Sequence, residues 1–258
     1  MKQAAESTWH RLTEEASQRG AALWLLIDPD KTGPGAGRRT AEEARRHGCD
    51  ALVLGASTGS AERFADVAQA MFKDRPCPLL IFPNGAAQVV PHADAILFMS
   101  LLSGRNPRFL AEEQVQGAPL VLKHGLEAIP TAYLLIESGR ASAVERVSET
   151  RPLSRSLPDD AWAHALAARY LGMSLVYLEA GSGAPHSVPP ALVRRCAEAG
   201  LPLAVGGGVR TPEQAARLVE AGAKFIVVGN QFEERPDWVL FAEMAAAVHS
   251  REAAVAHS

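Results

Sequence analysis

Five short stretches hold residue types that could do chemistry. In Asp28-Pro29-Asp30-Lys31, two carboxylates stand directly after the apolar run 22–27. Hard oxygen donors at a strand end suit a divalent cation, Mg²⁺ shared with a substrate phosphate. The competing role is a plain turn, with Asp28 as an N-cap or hydrogen-bond acceptor. Ser57, in the turn 55–59, offers a hydroxyl oxygen to an ion held by Asp28, or caps the next helix. Glu179 follows Leu175-Val176-Tyr177-Leu178 and precedes Ala180-Gly181-Ser182-Gly183. An apolar ligand beside it would desolvate the carboxyl, raise its pKa and suit it to take a proton from a hydroxyl group. Orienting a ligand hydroxyl or an arginine is the other role open to it, and Tyr177 either touches ligand or fills core. Gly206-Gly207-Gly208 runs into Thr211-Pro212-Glu213-Gln214, a helix start with Thr as N-cap, Pro at the first position and Gln for a capping box. Glycines ahead of a helix N-terminus expose amide donors to a phosphate, and Gly229-Asn230 would complete the site; a tight turn is the alternative.

These residues need a scaffold that brings distant turns together. Eight short apolar runs recur, at 22–27, 51–54, 78–82, 95–99, 132–136, 174–178, 202–205 and 224–228. Helical periodicity follows most of them, at 39–47, 61–72, 159–171, 190–199, 212–221 and 237–249. Continuous apolar strands alternating with helices predict a parallel sheet covered by helices. Eight units of about 32 residues each match a closed (β/α)8 barrel, whose chemistry sits at the carboxyl ends of the strands. The loops after strands seven and eight are the common phosphate site of such barrels. Between 82 and 93 two prolines and too few residues leave no room for a full crossover helix, so a loop replaces the third helix. The polar stretch 137–158 is a long loop of the kind that carries function. No linker or composition shift divides the chain. We therefore expect one domain over 1–258, with the barrel at about 21–249 and a frayed tail at 250–258.

Composition excludes several classes. Of 258 residues, 47% are hydrophobic, and 26 Lys+Arg against 29 Asp+Glu leave a formal net charge of -3. Without a collected basic strip there is no nucleic-acid footprint, and Arg45-Arg46 and Arg194-Arg195 read as solvated helix faces. The polar stretch 1–19 lacks a signal-peptide core, and no run is long enough for a membrane span. Cys49, Cys77 and Cys196 are odd in number and widely spaced, which fits a reducing compartment and leads us to expect the cytoplasm. His92 and His124 lack partners at metal-ligand spacing and read as solvated or capping residues.

Taken together, LIDPDK at 26–31, LGAST at 54–58, YLEAGSGA at 177–184, GGGVRTPEQA at 206–215 and IVVGN at 226–230 resemble the geranylgeranylglyceryl phosphate synthase family, which also contains the bacterial heptaprenylglyceryl phosphate synthases. The Tyr-Leu-Glu and Val-Gly-Asn strings are specific to it; the triple glycine is shared with many phosphate-binding barrels. The short third connection is similar too, since the family replaces that helix with a mobile segment. The resemblance implies transfer of a polyprenyl group from its diphosphate to the 3-hydroxyl of sn-glycerol 1-phosphate, in ether phospholipid biosynthesis. It implies that Asp28 and Ser57 hold Mg²⁺. It implies that Tyr177, Leu178, Glu179, Ala180, Gly181, Ser182 and Gly183, with Gly207, Gly208, Gly229 and Asn230, hold glycerol 1-phosphate, and that Glu179 deprotonates the hydroxyl. Some members carry Lys two positions before the first Asp, where this chain has Leu26. That and the longer YLEAGSGA form resemble the subgroup that uses geranylgeranyl diphosphate, and leave Lys31 or an arginine as the expected diphosphate contact. Ile96, Phe98 and Leu101 are expected to wall the prenyl groove, and the family resemblance implies a homo-oligomer, dimer or hexamer, touching the membrane surface transiently. The readings set against this one are another chain length, a sugar-phosphate isomerase or synthase on the same barrel, and a non-catalytic binding protein.

Overall fold

The computed structural model describes residues 7–56, 60–73, 75–232 and 236–249, without the side chain of Asn230. Ser57 and the tail 250–258 lie outside the described residues. The strands are β1 (Ala22–Ile27), β2 (Ala51–Leu54), β3 (Leu79–Ile81), β4 (Ala95–Leu101), β5 (Glu127–Leu135), β6 (Leu175–Glu179), β7 (Leu203–Gly206) and β8 (Phe225–Val228). They pair in parallel in chain order, and β1 also pairs with β8, closing the expected barrel.

Between and around the strands run α1 (Thr8–Arg19), α2 (Pro34–Arg46), α3 (Ala61–Phe72), α4 (Glu113–His124), α5 (Ala143–Ser148), α6 (Pro158–Tyr170), α7 (Pro190–Ala197), α8 (Pro212–Glu220) and α9 (Trp238–Val248). After β3 there is only a 3-10 turn, Ala86–Gln88, so the missing helix is found where the sequence predicts it. Three helices, α1, α4 and α5, are absent from the periodicity reading. In α4, Gly117 and Pro119 interrupt the pattern; in α1, three buried residues, Thr8, Leu12 and Ala16, make a narrow stripe on a polar helix. The loop 137–158 is also more ordered than a polar stretch suggests. It contains α5, and Leu153 bridges to Ile136 beside β5.

Strand alternation sorts the core into two layers. Trp24, Val53, Leu80, Leu97, Tyr177 and Phe225 fill the barrel, while Leu23, Leu52, Leu134, Leu178 and Val205 pack outward against helices. Helix α1 closes the amino-terminal end. Its Leu12 and Ala16 join the inner layer, Trp9 lies 5.6 Å from Phe225, and Glu127 at the start of β5 accepts from the Thr8 amide at 2.6 Å. At that end Asp50 is buried and accepts from the Leu23 amide at 2.7 Å and Arg19 at 2.5 Å, and it meets His249 Nε2 at 2.8 Å, tying α1, β1 and the end of α9 together. Arg195 is not a merely solvated residue: it pairs with Asp159 at 2.7 Å and lies over the Trp162 ring. Among the described residues no helix is long and apolar enough to cross a membrane.

Candidate active site

A cavity of about 400 Å³ opens at the carboxyl ends of the strands. Strand register sends Tyr177 and Glu179 into it from β6, and Gly206 ends the neighbouring β7 opposite Glu179. Glu179 is the last residue of β6, one step earlier in the chain than a turn position.

Glu179 is 7% exposed, and its Oε1 accepts from the Gly181 amide at 2.6 Å. Burial raises its pKa to about 7, against the downward pull of the Gly181 amide and of the Tyr177 hydroxyl. That is a carboxylate poised to take up a proton near neutrality. The Tyr177 hydroxyl is buried and close to Glu179, yet no acceptor stands in hydrogen-bond alignment with it. A buried unpaired hydroxyl costs about 1–3 kcal/mol, a cost relieved when a ligand supplies the partner. Burial and the Glu179 charge push both Tyr177 and Tyr133 well above the usual phenol range, so each remains a neutral hydroxyl. Tyr133 stacks on Tyr177 at 5.7 Å between ring centres, and Phe82 packs on both.

Glycine makes the room. A β-carbon on Gly206 would lie 2.5 Å from the Tyr177 hydroxyl and 2.8 Å from Glu179 Oε2; one on Gly207, whose φ is +80°, would lie 2.4 Å from Glu179 Oε1. A β-carbon on Gly208, at φ +70°, would lie 2.8 Å from the backbone of His186 and Ser187. Arg210 holds that loop to the β7 turn through the carbonyls of Ala184, at 2.7 Å, and Pro185, at 3.2 Å. Thr211 caps α8 as expected, accepting from the Gln214 amide at 3.3 Å. The Gln214 side chain, however, accepts from Arg210 N at 2.8 Å and not from the Thr211 amide. The reciprocal arm of the capping box therefore reaches one residue further back and ties the glycine turn to the helix.

Asp28, Tyr177, Glu179, Gly181, Ser182, Gly183, Gly207, Gly208 and Gly229 all line this cavity. Leu178 and Ala180 do not; both belong to the outer layer, Leu178 because alternation turns it away from its neighbours Tyr177 and Glu179. Ser57 and the Asn230 side chain lie outside the described residues. Gly206, Phe82 and Tyr133 are additional residues of the site. Inward parity at the end of β7 would have signalled Gly206, whereas the aromatic contacts depend on barrel closure.

Asp28 stands at the rim with Oδ1 accepting from the Asp30 amide at 2.9 Å, and Oδ2 lies 3.7 Å from Lys31 Nζ. Arg63 of α3 bonds the carbonyls of Pro29 at 2.5 Å and Asp30 at 3.1 Å, bracing this turn. Among the described residues no three His, Cys, Asp or Glu side chains gather as a metal cluster. One rim carboxylate fits Mg²⁺, which keeps waters and takes substrate phosphate oxygens in addition to one or two carboxylates.

On its other side the cavity becomes an apolar groove. Ile96 and Phe98 face outward from β4, where a helix would ordinarily cover them, and with Leu101 they line it. The missing third helix thus opens the barrel mouth sideways.

A closed (β/α)8 barrel with a glycine-walled cavity around one buried carboxylate at the carboxyl ends of its strands defines an enzyme of the TIM-barrel class. The chain belongs to the PcrB family, which it matches over residues 15–248. The geranylgeranylglyceryl phosphate synthase of Methanopyrus kandleri is 45% identical over 223 residues, 86% of this chain and 92% of that relative. That of Thermococcus gammatolerans is 45% identical over 228 residues, covering 87% and 89%. The crystal structure of (S)-3-O-geranylgeranylglyceryl phosphate synthase from Thermoplasma acidophilum, in complex with substrate sn-glycerol-1-phosphate, superposes with a TM-score of 0.86 at 34% identity, covering 93% of this chain and 98% of that one.

Proposed function

We propose that this protein is a prenyltransferase that moves the geranylgeranyl group from geranylgeranyl diphosphate to the 3-hydroxyl of sn-glycerol 1-phosphate, releasing diphosphate. One observation carries the reading: a single cavity joins a glycine-walled cradle, a buried carboxylate with a pKa of about 7, and an apolar groove. A small phosphate and a long hydrocarbon chain can thus meet at Glu179.

The glycine amides around Gly207, Gly208 and Gly229, with Gly181 to Gly183, bind the phosphate of glycerol 1-phosphate, and the Tyr177 hydroxyl supplies a further polar contact. Glu179 accepts the proton of the 3-hydroxyl as its oxygen bonds to C1 of the prenyl chain. The C1–O bond to diphosphate breaks in the same step, its electron pair leaving with the diphosphate. Holding both substrates in one cavity replaces a bimolecular encounter with an oriented one. Asp28, with Ser57 as the resemblance implies, would hold Mg²⁺, which neutralises charge on the departing diphosphate. Lys31, beside Asp28, is placed to add positive charge there.

The test is to give the purified protein labelled sn-glycerol 1-phosphate with farnesyl, geranylgeranyl, farnesylgeranyl or heptaprenyl diphosphate and Mg²⁺. Formation of the geranylgeranyl ether in preference to the others supports the reading. A preference for heptaprenyl diphosphate would replace the chain length, and no ether product from any of them would overturn the reaction. The same reading makes the protein a cytoplasmic homo-oligomer, checked by fractionation and by light scattering.

A further inference from the structure

We propose that Glu113 determines chain-length specificity in the prenyl groove by clasping the non-helical connection after β3 against α4. The proposal rests on the prenyltransferase reading above. The wall in question, residues 83–89, has little internal structure: its own backbone bonds are those from the Gln88 amide to Gly85 and from the Val89 amide to Ala86. What fixes such a segment must come from outside it.

Glu113, in the first turn of α4, supplies that hold. Its Oε2 accepts from the Ala86 amide at 2.8 Å, and its Oε1 accepts from Arg108 Nε at 2.7 Å. Gly85 lies so close that a β-carbon there would be 2.7 Å from Oε2. Partial burial would raise the Glu113 carboxyl, but the Ala86 amide and the Arg108 guanidinium outweigh it and hold the pKa below the usual range. The opposite edge of the wall is held by buried Gln88, whose Nε2 donates to the Ala56 carbonyl at 3.2 Å while its Oε1 accepts from the Asn84 amide at 2.9 Å.

The two polar side chains therefore fasten one wall of an apolar groove to α4 and to the β2 turn. Burying polar groups at these places is unfavourable unless their bonds are made, so the position of the wall is tied to those bonds. Ala86 and Val89 line the groove and pack directly on α4, where a β-carbon on Gly117 would lie 3.4 Å from Val89 and 3.9 Å from Ala86, so releasing the Glu113 clasp lets this wall shift away from α4 and widens the space available to the chain.

The test compares wild type with Glu113→Ala and Glu113→Gln. Hydrogen exchange of the peptide 83–89 reads the wall, and kcat/KM for geranylgeranyl against heptaprenyl diphosphate reads specificity. In Glu113→Ala, Ala86 should lose protection and the heptaprenyl-to-geranylgeranyl ratio should rise about tenfold, with KM for glycerol 1-phosphate unchanged. Glu113→Gln keeps an acceptor for the Ala86 amide and should lie nearer wild type. Gln88→Leu, which frees the other edge, should shift the same ratio and serves if Glu113→Ala fails to fold. An unchanged ratio in folded variants, or retained protection at Ala86 in Glu113→Ala, would overturn the proposal. Absence of any prenyl transfer by the wild-type chain would overturn the prenyltransferase reading, and the exchange data would still decide whether the clasp exists.

Discussion

Gly207 stands over Glu179 so closely that no other residue type fits: at φ +80°, its β-carbon would fall 2.4 Å from the carboxylate oxygen that accepts from Gly181. The glycine turn after β7 and the buried carboxylate are therefore one packed unit. Gly207→Ala should cost about 1–3 kcal/mol of stability through strain and overpacking. It should also abolish glycerol 1-phosphate binding, as measured by calorimetry on the folded variant. Full binding would show that the cradle lies elsewhere.

Glu179→Gln should lower prenyl transfer by about 10²–10⁴-fold, the usual contribution of a positioned base. Glycerol 1-phosphate should still bind, because the glycine amides of Gly207, Gly208 and Gly229, on the turns after β7 and β8, still hold its phosphate and glutamine keeps the size of the side chain packed beneath them. Wild-type turnover in this variant would remove Glu179 from the proton transfer. In the wild type, kcat/KM should rise with pH to a plateau, with its midpoint near the Glu179 pKa of about 7.

The same carboxylate has a stability signature of opposite sense. Its folded pKa lies above the ordinary 4.5, so the folded state holds the proton more tightly than the unfolded chain. Stability is thus greatest below pH 4.5 as far as this group is concerned, and falls as pH rises towards about 7. The loss is of order 3 kcal/mol. Glu179→Gln carries no such charge and should melt at a higher temperature than wild type at pH 8. Identical melting temperatures across the pH range would mean that the carboxylate is not desolvated.

At the rim, Asp28→Asn should weaken Mg²⁺ binding in the presence of inorganic diphosphate, measured by calorimetry, and raise the Mg²⁺ concentration needed for half-maximal transfer. Equal binding by variant and wild type would reject Asp28 as the ion's ligand.

Far from the chemistry, Asp50→Ala should destabilise the fold by about 3–5 kcal/mol, because Arg19 and the Leu23 amide lose a buried acceptor. Activity per folded molecule should not change, since Asp50 lies before β2 at the opposite end of the barrel. Denaturant unfolding paired with the transfer assay separates the two effects.

Much of this was legible along the chain. Eight apolar runs announce eight buried strands, since a strand covered on both faces has no polar alternation to hide it. Two prolines in too short a connection announce the missing helix. Helices α1 and α4 were not legible, because one carries too narrow an apolar stripe and the other is interrupted by Gly117 and Pro119; packing, not periodicity, makes them helical. Leu178 and Ala180 shared a motif with Glu179 but not its direction.

The sequence by itself determined the parallel barrel, the glycine turns and the strand-end carboxylates, because these depend on local residue type and a short period. Only the tertiary structure decided that Glu179 is buried to a pKa of about 7, that Gly206 leaves room for it, and that Glu113 reaches across to Ala86. Those properties depend on desolvation and contact between segments far apart in the chain, and such contacts exist only once the barrel has closed.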